Sequence, residues 1–231
     1  MRRIAFFGGS FDPPHRGHLA IARAAADHFA LDAILFAPVA RQPLKADQPS
    51  SAFVHRYAMT VLATQADARF VPSLLDAPYE SDCADDKPNY TVDTLTRLRD
   101  SLAATSVPFA LFALLGADSW LDIALWHRAP EMLALCDWIV AARPGFSLAR
   151  AAHALPPQVT VTQVDDGPQR CLLLTHPHGS TTRVWFLPDM QEDISATQVR
   201  STPHTGTDIG IAAVEDYIRK ARLYTAAKIE I

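Results

Sequence analysis

Cysteine is scarce: Cys83, Cys136 and Cys171 are the only three in 231 residues, and no two share C-x-x-C spacing. An odd, dispersed set argues against a disulfide framework and fits a reducing compartment. A basic excess is also missing. Twenty-one Lys and Arg against 25 Asp and Glu leave a net charge of −4, which argues against a nucleic-acid partner. Any polyphosphate ligand must then be held by a local cluster of cations and amides. No apolar run approaches the roughly 20 residues that span a bilayer, so no membrane partner is expected. Met1-Arg2-Arg3 leads into a strand rather than an apolar secretory segment, and the expected location is the cytoplasm. No repeat, low-complexity stretch or linker divides the chain, so one domain over residues 1–231 is expected. G-x-G-x-x-G is absent after the first strand, and a dinucleotide-redox reading lacks its fingerprint.

What the chain does have is alternation. Short apolar runs stopped by glycine or proline, Ile4–Phe7, Ala33–Ala37, Phe109–Leu115 and Trp138–Ala142, read as buried strands. Phe70-Val71 is a shorter one, and Val159–Val164, Leu172–Leu174 and Val184–Leu187 follow later. Helical periods lie between them. The first stripe is Leu19, Ala22, Ala26 and Phe29; the second is Val54, Tyr57, Ala58, Val61 and Leu62, with Ser50 or Ser51 as cap. Thr91 opens a third with Val92, Leu95, Leu98 and Leu102. A short helix over Ala149–Ala154 and a last one capped by Asp208, with Ile211, Val214 and Ile218 inward, complete the set.

Such spacing implies right-handed βαβ units and a parallel sheet. The expected fold class is α/β: a doubly wound, mostly parallel, Rossmann-like sheet flanked by helices. Ligands of such sheets bind beyond the carboxyl ends of the strands. That edge should gather Gly8–His18, Pro38–Lys45, Gly116–Trp126 and Arg143. The polar stretch Asp76–Asn89 reads as a loop with nothing to bury.

One stretch is especially informative. Gly8-Gly9 ends the first strand, Ser10-Phe11-Asp12-Pro13-Pro14 forms a braced loop, and a helix begins near His15–Gly17. His15 and His18 are three apart and share one face of its first turn. Unsatisfied N–H groups and the positive end of the helix dipole lie there too, an arrangement suited to phosphate. From the residues alone, the histidines could also be ordinary surface residues or metal ligands, although no Cys, Asp or Glu cluster accompanies them. A second helix start stands at Asp193–Arg200. Ser195 with Gln198 makes a capping box, Ile194 with Val199 a hydrophobic staple, and Arg200 can reach a phosphate from the same end.

His15-Arg16-Gly17-His18 resembles the H-x-G-H signature of the nucleotidyltransferase superfamily. The longer string Gly8–Leu19 resembles the bacterial nicotinate-nucleotide adenylyltransferases. Asp193–Arg200 resembles their I-S-S-T-x-x-R motif, with Ala196 where a second serine is usual. Asn89-Tyr90-Thr91-Val92-Asp93-Thr94-Leu95 and Gly116-Ala117-Asp118 with Trp126-His127 resemble further segments of that family. Gln42-Pro43-Leu44-Lys45 departs from its P-P-H-K: the lysine stays, and Leu44 takes the place of the histidine. The lysine-rich K-M-S-K-S loop of aminoacyl-tRNA synthetases, which share H-x-G-H, is absent.

The resemblance implies adenylyl transfer from ATP to nicotinate mononucleotide, with Mg²⁺ carried by ATP and no metal ligands from the protein. It places ATP against Gly8, Gly9, Ser10, Phe11, His15, His18, Ile194, Ser195 and Arg200, with His18, His15, Lys45 and Arg200 serving catalysis. Thr91, Asp118, Trp126 and His127 would receive the acceptor, Trp126 by stacking on the pyridine ring. Nicotinamide mononucleotide, pantetheine phosphate or a non-catalytic sensor role remain open at this stage, and the sequence does not choose between monomer and homodimer.

Overall fold

Successive side chains of a strand point to opposite faces, so a strand that is apolar throughout needs a core on each side. In the computed structural model this is how the sheet is built. Residues 1–45, 50–78, 88–142, 146–166, 169–187 and 209–224 are described. On β1 (Arg2–Gly9), Phe6 enters one apolar cluster while Ala5 and Phe7 enter another. β4 (Phe109–Gly116) divides Leu111, Ala113 and Leu115 from Phe112 and Leu114 in the same way. β5 (Asp137–Ala141) separates Trp138 and Val140 from Ile139 and Ala141.

β2 (Ala33–Pro38) and β3 (Phe70–Pro72) extend the sheet on one side. β8 (Thr181–Leu187), β7 (Gln169–Thr175) and β6 (Thr160–Asp166) extend it on the other. The order is β3-β2-β1-β4-β5-β8-β7-β6. Every pairing from β3 to β8 is parallel, and β8-β7-β6 is an antiparallel meander at the edge. Chain order reverses between β1 and β4, which puts the topological switch point at their carboxyl ends.

α1 (Arg16–His28) covers one face with Ala22, Ala25 and Ala26; small side chains let it lie close to the sheet. α3 (Thr91–Ala103), α4 (Ala117–Leu121), α5 (Ala129–Leu133) and α6 (Leu148–His153) contribute to the opposite core. α2 (Phe53–Thr64) and α7 (Ala212–Lys220) share a smaller cluster of Met59, Ala63, Ile209 and Val214, with Leu19 of α1 packed against it. No described helix is long and apolar enough to cross a membrane.

Several local expectations are corrected. α2 has its N-cap at Ala52, which carries no capping side chain, and Ser51 just before it donates its N–H to the Asp12 carboxylate. Its buried face is Arg56, Met59, Thr60, Ala63 and Thr64, and Val54 is exposed. Apolar periodicity misplaced that face because its polar members satisfy one another. Arg56 donates to three carbonyls, while the Thr60 and Thr64 hydroxyls donate back to Arg56 O and Thr60 O. The stretch Asp76–Asn89 does bury groups at both ends. Asp76 accepts from Thr94 Oγ1, and Asn89 Oδ1 accepts from Arg41 N–H at 3.2 Å. Gly116 is the N-cap of α4, and Asp118 lies in its first turn. Asp208, Arg143 and the whole of 193–200 lie outside the described residues.

Candidate active site

Beyond the carboxyl end of β1 the chain makes a tight aromatic turn. A Cβ on Gly8 would come within 2.8 Å of the Phe6 ring, so glycine is required there by packing. Phe11 is held at φ 46°, a left-handed conformation costly for a bulky residue. Burial compensates: its ring is 2% exposed and meets Phe7 edge-on at 5.4 Å and His18 at 5.1 Å.

His15 is the N-cap of α1, and its N–H donates to His18 Nδ1 at 3.2 Å, with the two rings 3.8 Å apart. Burial pushes the His15 imidazole down to about pKa 4, and it holds His18 well below its ordinary value, with His15 adding to the shift. Both rings are therefore neutral at pH 7. Because His18 Nδ1 accepts, its proton sits on Nε2, leaving a neutral N–H donor rather than an imidazolium. His15 Nδ1 is buried with no hydrogen-bond partner among the described residues.

The loop is braced from beneath. Arg56, 2% exposed, donates from Nη1 to Ser10 O at 2.9 Å, from Nη2 to Ala40 O at 3.1 Å and from Nε to Ser51 O at 2.9 Å. One guanidinium thus ties the β1 exit, the β2 exit and the α2 entrance, a use that suits its rigid fork of donors. Asp12, also 2% exposed, accepts from Ser51 N–H at 2.9 Å and from the Tyr224 hydroxyl at 2.5 Å.

A cavity of about 480 Å³ opens at the switch point. Gly8 and Gly9 from β1, Leu115 from β4, Thr91 from the start of α3, and Asp118, Trp126 and His127 line it together. Trp126 is half-buried between a 3-10 turn, Ile123–Leu125, and α5, and His127 stacks on Tyr90 at 4.1 Å. Thr91 is the first residue of α3, so the N–H groups there have no carbonyl of their own helix to bond.

The residues singled out from sequence thus divide in two. Thr91, Asp118, Trp126, His127, Gly8 and Gly9 meet around the cavity, whereas Ser10, Phe11, His15 and His18 are not among its lining. Gly9 joins the groups, since a Cβ there would stand 3.3 Å from the Phe11 ring that packs on His18. Ser10 Oγ donates to Gln42 Oε1 at 2.7 Å. Lys45 closes the 3-10 turn Pro43–Lys45, but its side chain is not among the described ones. Ile194, Ser195 and Arg200 fall outside the described residues.

Gln42 and Asp122, in stretches expected at this edge, also line the cavity, while sequence reading missed Asp76, Asn89 and Tyr90 as lining residues. Tyr90 stood in a string already singled out, beside Thr91. Asp76 gave no signal, because its partner Thr94 lies across a loop. Burial pushes its carboxyl up to about pKa 6 against the opposing effects of Thr94 and Arg97.

Residues 6–202 match the cytidylyltransferase-like family model. The chain belongs to that family. Within it, a probable nicotinate-nucleotide adenylyltransferase of Geobacter sulfurreducens is 34% identical, covering 96% of this chain and 98% of its own. A counterpart from Pseudomonas paraeruginosa is 36% identical over 97% and 98%. Another from Chromobacterium violaceum is 35% identical over 96% and 98%. By these matches the chain is a member of the nicotinate-nucleotide adenylyltransferase branch of the cytidylyltransferase-like family. Among solved structures, the Plasmodium falciparum nicotinic acid mononucleotide adenylyltransferase complexed with NaAD shares the family fold. The TM-score is 0.68 at 17% identity, over 97% of this chain and 98% of that one.

Proposed function

We propose that this chain transfers the adenylyl group of ATP to nicotinate mononucleotide, giving nicotinate adenine dinucleotide and pyrophosphate in NAD biosynthesis. The observation that carries this reading is the joining of two features at Gly8 and Gly9. A neutral histidine pair at a helix start lies on one side of that junction, and a cavity holding Trp126 and the first turn of α3 on the other. Family membership and the names of the relatives support it over their nearly full length.

An acceptor phosphate oxygen attacks the α-phosphorus of ATP, and the bond to the β-phosphate oxygen breaks, so pyrophosphate leaves with the electron pair. The nucleophile is already anionic and needs no general base. Alignment of two anions and stabilisation of charge on the phosphoryl oxygens are what remain. His18 Nε2–H would donate to those oxygens, and His15 would orient the phosphates. Lys45, Ser195 and Arg200 would add donors and positive charge. Gly8, Gly9, Ser10, Phe11 and Ile194 would line the nucleotide.

The nicotinate carboxylate offers acceptors only, so donors alone select it. The first-turn N–H groups at Thr91 and the backbone near His127 would supply them, Trp126 would stack on the ring, and Asp118 would shape the pocket. Among the described residues no three His, Cys, Asp or Glu side chains converge as metal ligands. Magnesium would be held mainly by ATP oxygens and water, as is usual for that ion. The proposal treats residues 1–231 as a single domain.

The deciding assay compares pyrophosphate release from ATP with the acid and the amide mononucleotide as acceptors. Turnover at least tenfold faster with the acid is expected. Equal rates would remove the carboxylate-selecting role of Thr91, and no release with either would remove the reading itself.

A further inference from the structure

The histidine loop is held at both ends by the last described segment of the chain. On one side of His15, the Asp12 carboxylate accepts from the Tyr224 hydroxyl at 2.5 Å. On the other, Arg16 N–H donates to Ile209 O at 2.9 Å. Gly210, at φ 72°, lies so close to Arg16 that a Cβ would meet its side chain at 2.7 Å. The segment between these two anchors is α7, which packs on α2 through Met59, Ala63 and Val214, and the His55 ring meets the Tyr217 hydroxyl at 2.9 Å. Burial lowers the Arg56 pKa, and Asp12 and Tyr224 lie close enough to oppose that shift, while Arg56 fixes Ser10 O and Ser51 O. Asp12 is 2% exposed, and a charge so buried needs every partner it has.

We infer that residues 209–224 form a clasp on the histidine loop, with Tyr224 and Asp12 as positioning residues that hold His15 and His18 in register for adenylyl transfer. The inference rests on the proposed function for its kinetic consequence, but its structural consequence does not. The His15 N–H reaches His18 Nδ1 only while the loop keeps its shape, and that bond fixes the His18 proton on Nε2. Loosening Asp12 should therefore mix the two His18 tautomers. Donors displaced by a fraction of an ångström lose transition-state stabilisation while leaving ground-state binding nearly intact. Tyr224 reaches the histidines through Asp12, so a loss on its removal would be transmitted by that bond.

Tyr224→Phe removes the hydroxyl and keeps the ring in its apolar cluster; Asp12→Asn removes the charge and keeps the shape. The full chain and both variants are measured for steady-state pyrophosphate release, for the histidine ring nitrogen spectrum and for melting temperature. Expected for each variant are a kcat lower by about tenfold, KM for both substrates within about twofold, and an averaged His18 tautomer. The double variant should lose no more than the worse single one, since both break one linkage. An unchanged kcat, an unchanged histidine spectrum, or a kcat loss explained by a falling melting temperature would each overturn the clasp. Should the unmodified chain release no pyrophosphate, the proposed function falls, and the histidine spectrum still decides the clasp.

Discussion

The histidine loop and the cavity meet at Gly8 and Gly9 and are built in opposite ways. The groups the loop presents lie within one run from Phe6 to His18, and its geometry is set by its own aromatic contacts and by braces from Arg56, Ser51 and the 209–224 segment. The cavity borrows residues from β1, the β2 exit, the loop before α3, β4, α4 and the turn before α5. A contiguous site is suited to a chemistry that never varies, because its parts cannot be exchanged one at a time. A dispersed site can change a single wall, and so can change its ligand, without disturbing the turn beside it.

The sharpest break between the two regions should come from His18→Ala. It removes a donor proposed to act only in the transition state, and losing one such donor costs about 10²- to 10³-fold in kcat. KM for nicotinate mononucleotide should stay within about threefold, since the residue is not among the cavity lining. Initial-rate kinetics with each substrate varied in turn check this. A variant with near-normal kcat would mean that the two regions do not divide the labour as described.

His15 in the loop and Asp76 at the cavity are both buried titratable groups, and their effects on stability carry opposite signs. His15 titrates near 4 in the fold and near 6.5 unfolded. Between those values the unfolded chain binds a proton that the native one refuses, so this group lowers stability as pH falls through that window. Asp76 titrates near 6 in the fold against 3.8 unfolded, so the native state holds the proton and stability is lost as pH rises from about 4 to 6. Each contribution is about 3 kcal/mol across its full window. Asp76→Asn should remove the second branch and make urea stability fall more steeply than in the unmodified chain between pH 7 and 4. His15→Gln should flatten the fall instead. Parallel curves for all three proteins would show that neither group is buried as described.

Trp126→Ala tests the cavity alone. Aromatic stacking on a base-like ring is worth about 1–3 kcal/mol, which puts the expected rise in KM for nicotinate mononucleotide near tenfold or above, with ATP affinity unchanged. Equal loss for both substrates would make Trp126 a packing residue for the neighbouring turn. The comparison would then rest on Thr91.

How much was legible follows the same division. The strands could be read because continuous apolar runs need two cores, and Phe6, Phe7, Leu114 and Val140 found them. The histidine loop could be read because its residues are neighbours in the chain. α2 could not be oriented, since Arg56, Thr60 and Thr64 are polar by type yet buried, Arg56 by carbonyls at the β1 and β2 exits and the two threonines by carbonyls of their own helix. The bonds made by Asp76 and Tyr224 could not be read because each joins residues far apart in sequence. The stretch Gly116–Trp126 could be placed at the strand ends by topology, but the roles of its residues emerged only through resemblance, because Trp126, Asp118 and Thr91 taken singly look like core, helix cap and helix start.

Leu44 offers the finest test of where one region ends. It lines the cavity and is 49% exposed. Exposed substitutions without partners usually change free energies by less than about 0.5 kcal/mol, so Leu44→His should shift KM for either substrate by no more than about twofold. That outcome would leave the rim a passive edge and the phosphate contacts confined to the histidine loop, Lys45 and the segment bearing Arg200. A tenfold fall in KM for ATP alone would give the opposite answer. A phosphate donor would then belong at the rim, and the boundary between the two regions would lie beyond Gly9, on the β2 exit.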